Sequence, residues 1–540
     1  MTTEIQPSLV SLPTKSKASR NGVTPLPVSP DSSRRWIVLA VCSLSLFMVQ
    51  LDNTIVNVAL PSVEHQFRGS VSSLQWVVDA YVVVLACLLL LGGSVGDRIG
   101  RRRVLRTGLV IFSAASLACS FATSVSMLIA FRVAQAIGGA MLNPNSLSIV
   151  TNTFTDRKQR ARAIGIWSAV MGLSMAAGPI VGGALIVGLN WRAVFWVNVP
   201  IGLIALVLLG RFVPESKAAK PRRLDPPGQL LAIAALGSLT YGIIEAPSSG
   251  LTSATVLGAF VAAAVALTLF IVVERHQAEP LIDLRFFHSP AFSGATLMGL
   301  LSFFIVAGWL FLNTLYLQEV RDYSPLMAGV ATLPAFALMI IVAPFTGRIV
   351  AHRGPRIPVM VAGLALMGGA TLLTLVQPHS SYFLLASSYL LIGGGYGMVN
   401  PPVTTLAVNG MPLSQGGAAG GLIGTFRQVG SALGIAVLGS IMASDIHGQI
   451  LGRLHAANLP TALAGKLSKM HAVTGSLGGT GMPLRAERLL ADAFTAATHT
   501  SWAVAAAGGL LIVTLALFTA GREPRETAHA SVPSLSSSTT

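Results

Sequence analysis

The sequence predicts an all-α polytopic membrane protein with fourteen transmembrane helices. Hydrophobic residues make up 53% of the 540-residue chain and charged residues only 10%. A soluble chain would carry about 25% charged residues. The apolar residues are gathered into runs of about 20 or more, which is the length that an α-helix needs to cross a bilayer. Short charged loops separate these runs, as expected for helices that cross the membrane repeatedly.

The apolar runs define spans 1 to 14 in chain order. An even number of spans places both termini on one side, and basic residues near span 1, such as Lys15, Lys17 and Arg34, predict that this side is cytoplasmic. Residues 1–33 are rich in Ser, Pro and Thr, and residues 522–540 have a similar composition. Both segments are therefore predicted to be disordered cytoplasmic tails of a cell-membrane protein. The predicted spans are 36–58, 74–95, 104–122, 126–150, 162–187, 193–212, 228–246, 253–273, 291–317, 325–350, 356–377, 381–408, 417–443 and 502–521.

The composition also argues against several classes of function. The net charge of +16 follows the predicted cytoplasmic loops, which is the positive-inside pattern and not a nucleic-acid-binding face. Cys42, Cys87 and Cys119 lie in apolar runs, so neither a disulfide framework nor a metal site is expected, and no cofactor is predicted. The chain lacks the G-x-x-x-x-G-K-[ST] loop of an ATP-driven pump and any constellation of an enzyme active site.

A charged turn between spans 2 and 3 is the most specific motif. Glycine permits close approach of two helix ends, and an arginine cluster is typical of the cytoplasmic surface. An ordinary positive-inside loop would explain the arginines but not the fixed spacing of glycine and aspartate. Because the turn lies at the cytoplasmic surface, away from the midplane, we predict that it acts as a cytoplasmic gate, and its residues are Gly93, Asp97, Arg98, Gly100, Arg101 and Arg102.

An internal repeat divides the chain into two halves. Residues 347–354 reproduce the glycine spacing of residues 93–100, which predicts two related six-helix bundles over 34–214 and 286–521. Residues 215–285 would then be two inserted helices. Related halves of this kind enclose a site near the midplane. The predicted external segment 444–501 is either an amphipathic surface helix or a loosely ordered loop.

Three charges within the spans of the first half are candidates for proton coupling. Asp52 lies in span 1, Asp79 in span 2 and Arg132 in span 4. Charges inside a membrane are costly and normally face a partner or a cavity. Either acid could instead lie at the outer interface. Since two acids face one base, the acid nearer Arg132 should stay ionised and the other should titrate, and we favour Asp79 for the latter role.

Further polar and small residues mark the remaining candidate regions. Span 5 carries a proline and small residues suited to a close helix crossing, although a plain packing motif would look similar. Arg427 is the only charge away from the ends of the predicted spans in the second half, where it could pair with helix carbonyls. The candidates for the substrate cavity are Asn57, Gln135 and Arg427. The candidates in span 5 are Gly165, Ser174, Gly178, Pro179, Gly182 and Gly183.

Together these motifs resemble the drug:proton antiporters with fourteen helices in the major facilitator superfamily. The segment LDNTIVNVALP in span 1, the 93–105 turn and the motifs around Arg132 and Pro179 carry the resemblance, which covers residues 36–521. It implies a non-enzymatic exporter that exchanges an amphipathic small molecule for protons across the lipid bilayer, with accessory export proteins undetermined. The alternative on the same fold is the export of an endogenous metabolite or lipid.

Overall fold

The computed structural model describes residues 32–218, 224–277, 280–409, 416–456 and 484–519. Within these ranges, fourteen helices are long and apolar enough to cross a membrane, which confirms the predicted fold class. We number them α1 to α14. Short irregularities at Val197, at Tyr316–Val320 and at Thr332 interrupt α6, α9 and α10, respectively. Their bounds are α1 Ser32–Phe67, α2 Val71–Ile99, α3 Arg101–Ser120, α4 Val125–Thr153, α5 Arg157–Gly188, α6 Ala193–Phe212, α7 Pro226–Ser249, α8 Ala254–His276, α9 Pro290–Val320, α10 Pro325–Arg353, α11 Arg356–Leu373, α12 Tyr382–Asn409, α13 Gly416–Ala456 and α14 Leu484–Thr519.

Several helices begin at a side chain that caps their first turn. The hydroxyls of Ser70, Ser124 and Ser253 accept hydrogen bonds from the backbone N–H groups three residues later, at 3.2, 3.2 and 3.3 Å. The carboxylate of Asp156 does the same for α5 at 2.9 Å. Such caps satisfy N–H groups that the helix itself leaves without partners. The sequence thus marks where each of these helices starts.

Helices α1–α6 and α9–α14 form two bundles, and the inserted helix α7 contacts both. In the first bundle α1 packs on α5 and α4, while α2 and α3 pack on α4. In the second bundle α9 packs on α13, and α11 lies between α12 and α14. Gln229 of α7 donates to the carbonyl of Cys87 in α2 at 2.6 Å, and Ser440 of α13 donates to the carbonyl of Ile243 in α7 at 2.8 Å. The insert therefore bridges the two halves.

Some helices are longer than the apolar runs that predicted them. Helix α1 continues to Phe67 and α9 to Val320, which brings Glu64 and Glu319 into the membrane helices. Arg427 is therefore not the only charge in the second half. Helix α13 continues to Ala456 and α14 starts at Leu484, so much of the predicted 444–501 loop is helical. Polar residues can continue a helix beyond the hydrocarbon, whereas a hydropathy window ends at its edge.

Parts of the domain prediction fall on residues outside the described ranges. These are most of the predicted tails, 1–31 and 520–540, and the centre of the predicted external loop, 457–483. Because the number of spans is even, the start of α1 and the end of α14 lie on one face, here named the terminal face. The opposite face carries the turns after α1, α3, α5, α7, α9 and α11, together with the end of α13 and the start of α14. The sequence predicts that the terminal face is cytoplasmic.

The packing of α9 against α13 depends on glycine at the crossing. A Cβ atom added to Gly434 would overlap the carbonyl oxygen of Phe304 in α9 and lie 2.8 Å from its Cα. A Cβ atom added to Gly448, further along α13, would meet nothing within 4 Å. Small residues allow this close approach of helix backbones in a membrane protein.

We predict that Gly434→Ala lowers stability while Gly448→Ala does not. The methyl group at position 434 presses on backbone atoms that cannot rotate away, and overpacking of this kind costs about 1–3 kcal/mol. At position 448 the same change meets open space and should gain helix propensity. Thermal unfolding of the two purified variants in detergent tests this, and equal midpoints for both would contradict the packing described here.

Candidate functional site

A fully buried ion pair lies at the centre of the first bundle. The Nη1 atom of Arg132 in α4 donates to Oδ2 of Asp52 in α1, and both side chains are 0% exposed. The Nε atom of Arg132 donates to the carbonyl of Val77 in α2 at 3.1 Å. Its guanidinium lies over the ring of Tyr81, 4.1 Å from the centroid. The pair thus binds α1, α2 and α4 together, and Asp52 is the acid that contacts Arg132.

Neutral side chains complete the hydrogen bonding of this pair. Oδ1 of Asp52 accepts from Nε2 of Gln135 at 2.8 Å and from Nδ2 of Asn198 at 3.0 Å. Ser116 accepts from Gln135 at 3.1 Å and from Asn198 at 2.9 Å, and donates to the carbonyl of Phe195 at 3.0 Å. Asn198 and Ser116 were not predicted as site residues. Nothing in their sequence context separates them from other polar residues of membrane helices.

Asp79 is buried apart from this network. It is 0% exposed, and both of its carboxylate oxygens are buried without a hydrogen bond from any residue that the structure describes. Asp79 lies one helical turn from Gln75, whose Nε2 donates to the carbonyls of Ile435 and Ala436 in α13 at 3.0 Å each. Further along the same face, Leu90 approaches Gly421 of α13. Residues four apart share a helix face, so Asp79 faces the boundary between the two halves.

The three candidates for the substrate cavity lie in different surroundings. Gln135 is fully buried in the Asp52 network, so its polar atoms are already engaged. Asn57 is 3% exposed, and its Nδ2 donates to the carbonyl of Asn53 at 3.0 Å. Arg427 is half-buried and donates to Thr404 at 3.2 Å. Of the three, Arg427 is the side chain that the fold leaves most accessible.

Aromatic rings surround Arg427 within the second half. Its guanidinium lies 5.7 Å from the centroid of the Phe303 ring, and Phe303 packs edge-on against Tyr396 at 5.2 Å. Phe303 is half-buried and Thr404 is exposed. A cation held over an aromatic face, beside accessible polar and apolar groups, forms an amphipathic surface. This surface comes from α9, α12 and α13.

The two halves meet near the opposite face. Nε2 of Gln318 in α9 donates to the carbonyl of Val58 in α1 at 3.1 Å, and Gln75 of α2 reaches α13 as described. Helix α5 meets α10 so closely that a Cβ atom on Gly183 would lie 2.5 Å from the Cα of Leu326. A Cβ atom on Gly329 would overlap the carbonyl of Pro179. These contacts close the boundary between the halves at that face.

Helices α5 and α10 separate toward the terminal face. One face of α5 carries three glycines. Gly172 lies eleven residues before Gly183, and Gly165 lies seven residues before Gly172. A Cβ atom on Gly172 would lie 3.4 Å from the side chain of Ile340, and one on Gly165 would meet nothing within 4 Å. A Cβ atom on Gly347, seven residues beyond Ile340 in α10, also meets nothing within 4 Å. The two helices thus border a cleft that widens toward the terminal face.

The remaining span 5 candidates pack within the first half or along their own helix. A Cβ atom on Gly178 would overlap the side chain of Thr54, and one on Gly182 would lie 2.8 Å from Ile55, both in α1. Ser174 donates to the carbonyls of Val170 and Met171 at 2.9 Å. Of the span 5 candidates, Pro179 and Gly183 are therefore the ones that contact the second half.

The predicted gate turn is tied to the segment that follows α6. Oδ1 of Asp97 accepts from Nε of Arg101 at 2.9 Å. The backbone N–H of Arg102 donates to Glu215 at 3.1 Å, and that of Arg101 donates to the carbonyl of Ser216 at 2.9 Å. Gly100 has φ = +122°, a conformation that favours glycine. These contacts lie within the first half, and sequence reasoning missed Glu215.

The packing of this turn against α4 explains two of its glycines. A Cβ atom on Gly93 would lie 3.3 Å from Pro144, and one on Gly96 would overlap Oδ1 of Asn145. Asn145 itself donates to the carbonyl of Gly92 at 2.9 Å. Arg102 also reaches the carbonyl of Gly210 at 2.5 Å. The structure thus fixes the turn, including Arg98 beside Asp97, on the terminal face of the first half.

Two further carboxylates lie between the halves near the opposite face. Glu64 of α1 is 4% exposed and interacts electrostatically with Glu319 of α9. Oε2 of Glu319 is buried without a hydrogen-bond partner among the described residues. Both positions lie beyond the apolar runs used for prediction, which is why they were missed. No group of three or more His, Cys, Asp or Glu residues in the described ranges could hold a metal ion.

Comparison with known proteins agrees with this architecture. The family model of the Major Facilitator Superfamily matches residues 42–435. The chain is 38% identical over 408 residues to multidrug resistance protein Stp of Mycobacterium tuberculosis (strain CDC 1551 / Oshkosh), covering 76% of each chain. It is 34% identical over 522 residues to the tetracenomycin C resistance and export protein of Streptomyces glaucescens, covering 95% of this chain and 97% of that one.

Solved structures show the same fold at low identity. A bacterial homolog to the human lysosomal transporter Spinster, in an inward-facing and unoccupied conformation, superimposes with a TM-score of 0.61 at 18% identity. The match covers 91% of this chain and 98% of that one. The family match and the two relatives, together with this shared fold, identify the chain as a multi-pass membrane protein of the major facilitator superfamily.

Proposed function

We propose that this protein exports amphipathic small molecules in exchange for protons by alternating access. Its relatives are named for multidrug resistance and for resistance and export, which supports efflux as the direction of transport. We further propose that it resides in the cell membrane with the terminal face in the cytoplasm. The basic residues of the gate turn on that face support this orientation. Accessory export proteins remain outside the proposal.

The observation that carries the proposal is the unpaired carboxylate of Asp79. Asp52 is neutralised by Arg132 and receives hydrogen bonds from Gln135 and Asn198, whereas Asp79 has no described partner. An isolated ionised carboxylate inside a membrane protein is costly, so such a group binds a proton or another cation. Asp79 faces the boundary between the halves, where a change of conformation would alter its access to water. These properties suit a site for a coupling proton.

The shape of the boundary supports access from the terminal face. Contacts of Gln75, Gln318 and Gly183 close the opposite face, while α5 and α10 diverge toward the terminal face. A cleft open to the cytoplasm is the state from which an exporter collects its cargo. The surface formed by Arg427, Phe303 and Tyr396 offers both charge and aromatic faces for an amphipathic molecule. In this proposal Asp97 and the arginines beside it control opening of the terminal face.

The function is tested with purified protein in sealed vesicles. A panel of cationic, neutral and anionic amphipathic compounds, together with lipids and metabolites, is offered at the terminal face. Proton movement is followed with a pH-sensitive dye. We expect compound-dependent proton movement that a protonophore abolishes and that does not need ATP. Proton movement with lipids or metabolites alone would favour the alternative cargo, and transport without proton movement would overturn antiport.

Asp79→Asn is predicted to uncouple transport from the proton gradient. The amide cannot ionise, so binding of a neutral compound should stay within a few-fold of wild type while its pH dependence and gradient-driven export are lost. Asp79→Glu keeps an ionisable group and should retain part of both. Binding is measured by equilibrium titration across pH and export in vesicles. An unchanged pH profile and unchanged export in Asp79→Asn would show that Asp79 is not the coupling site.

Asp52→Asn serves as the contrasting variant because it removes the counter-charge of Arg132. Breaking a buried ion pair on one side typically costs about 3–5 kcal/mol. We therefore expect loss of folded protein or of all transport, and not a selective loss of pH dependence. This difference separates the structural acid from the proton-binding acid.

Gly183→Ala is predicted to hinder closure of the opposite face. The added methyl group would lie 2.5 Å from the Cα of Leu326, so α5 and α10 could not approach as they do now. Gly165→Ala, on the same face of α5 with nothing within 4 Å, is the matched control. The readout is labelling of a cysteine at position 57 by an impermeant thiol reagent from the opposite face, with the native cysteines replaced. Faster labelling is expected for Gly183→Ala only, and equal rates would contradict this view of the gate.

A further inference from the structure

Two carboxyl groups are buried together where the inserted helices meet the terminal face. Asp225 precedes the first residue of α7 and is 5% exposed. Glu274 lies in the last turn of α8 and is 3% exposed. Acidic side chains are almost never buried to this extent unless they are paired. The site lies on helices that the proposed exchange mechanism does not use.

One oxygen of each carboxyl group holds the backbone of a connecting segment. Oδ1 of Asp225 accepts from the N–H of Gly228 at 3.0 Å and from Nε2 of Gln277 at 3.2 Å. Oε2 of Glu274 accepts from the N–H of Ile282 at 3.1 Å. The two acids therefore hold the start of α7 and the segment that leads from α8 to the second half.

The other two oxygens lie beside the same glycine, Gly228. A Cβ atom added to Gly228 would overlap Oδ2 of Asp225 and lie 2.6 Å from Oε1 of Glu274, so both oxygens lie beside the same glycine. Oδ2 and Oε1 are buried, and neither accepts a hydrogen bond from a donor that the structure describes. A carboxylate pair has no hydrogen of its own to share unless a proton is bound.

No described cation neutralises this pair. Asp225 is the charged group that interacts electrostatically with Glu274. On α8 the neighbouring Arg275 and His276 are exposed, and His276 contacts the carbonyl of Val272 through Nδ1. On the segment after α8, Asp283 forms an ion pair with Arg285 at 2.9 Å. On the segment before α7, Lys217 is exposed, while Lys220, Arg222 and Arg223 lie outside the described residues. Two ionised carboxylates would therefore face each other in a buried site, which is strongly unfavourable.

We propose that Asp225 and Glu274 form a proton-binding site in which one proton is held between Oδ2 and Oε1. The proton comes from water at the terminal face and returns to it on release. One carboxyl group is then neutral and donates to the other, which carries the single negative charge of the pair. This site is separate from Asp79 and goes beyond the proposed antiport.

Proton release from this pair would loosen the joint between the insert and both halves. Two negative charges would repel each other across the contact between α7 and α8, and the hydrogen bond to Ile282 anchors the segment that enters α9. Helix α7 in turn contacts α2 through Gln229 and α13 through Ser440. The pH at the terminal face would therefore act on the helix that bridges the halves.

Infrared spectroscopy of the purified full-length protein tests for the shared proton. The wild-type protein should show a protonated-carboxyl C=O band near neutral pH, and the band should disappear as pH rises. Glu274→Gln and Asp225→Asn each place an amide donor against the remaining carboxylate, so each should lose this band. The double variant should lose no more than either single variant, because only one proton is shared. Asp79→Asn is the control and should leave this band in place.

Thermal unfolding across pH gives an independent measurement. If the folded pair binds a proton that the unfolded chain releases, wild-type stability falls as pH rises through the titration. Glu274→Gln and Asp225→Asn should lack this component of the pH dependence. A band unchanged in both variants would overturn the proposal. The proposal would also be overturned if the wild-type protein lacked the band and was stabilised by Na⁺, K⁺ or Mg²⁺ at constant ionic strength. A metal cation would then occupy the site.

Discussion

The desolvated pair of Asp52 and Arg132 constrains the arrangement of the first half. Removing a carboxylate and a guanidinium from water costs several kcal/mol per ion, and their attraction offsets this only when the remaining hydrogen bonds are satisfied. Gln135 and Asn198 supply donors to Asp52, and Ser116 accepts from both amides. The donors and acceptors come from α1, α3, α4 and α6, so these helices must be in register before the charges can be buried. Because this pair is neutral as a unit, Arg132 supplies no counter-charge to Asp79.

Sequence reasoning predicted the fold well because the hydropathy of a membrane helix is a local property. It located Asp52, Asp79 and Arg132 for the same reason, since a charge inside an apolar run is conspicuous. It could not decide which acid contacts Arg132, because that depends on how distant helices pack. Glu64 was missed because α1 extends past its apolar run. Glu274 lies just past the apolar run of span 8, and only the fold places it against Asp225.

The closed boundary at the opposite face is built from contacts that can be exchanged for water at low cost. Gln75 and Gln318 each donate a neutral amide hydrogen bond to backbone carbonyls across the boundary. A neutral hydrogen bond of this type contributes only about 0.5–1.5 kcal/mol net, because water replaces it when it breaks. Close backbone contact at Gly183 adds packing that depends on shape and not on charge. Contacts of this kind can keep the opposite face closed without preventing it from opening.

The environments of the buried acids separate structural roles from roles in proton binding. An acid with a cationic partner, such as Asp52, has its charge compensated within the fold. An acid without a partner, such as Asp79, has its charge compensated only by something that arrives from solution. The pair of Asp225 and Glu274 is intermediate, since each acid can serve the other as a donor once one proton is bound. In the proposed mechanism, protons bind where the fold leaves a buried acid without a described counter-charge. Asp79 at the boundary between the halves and the pair beside the bridging helix α7 are such places.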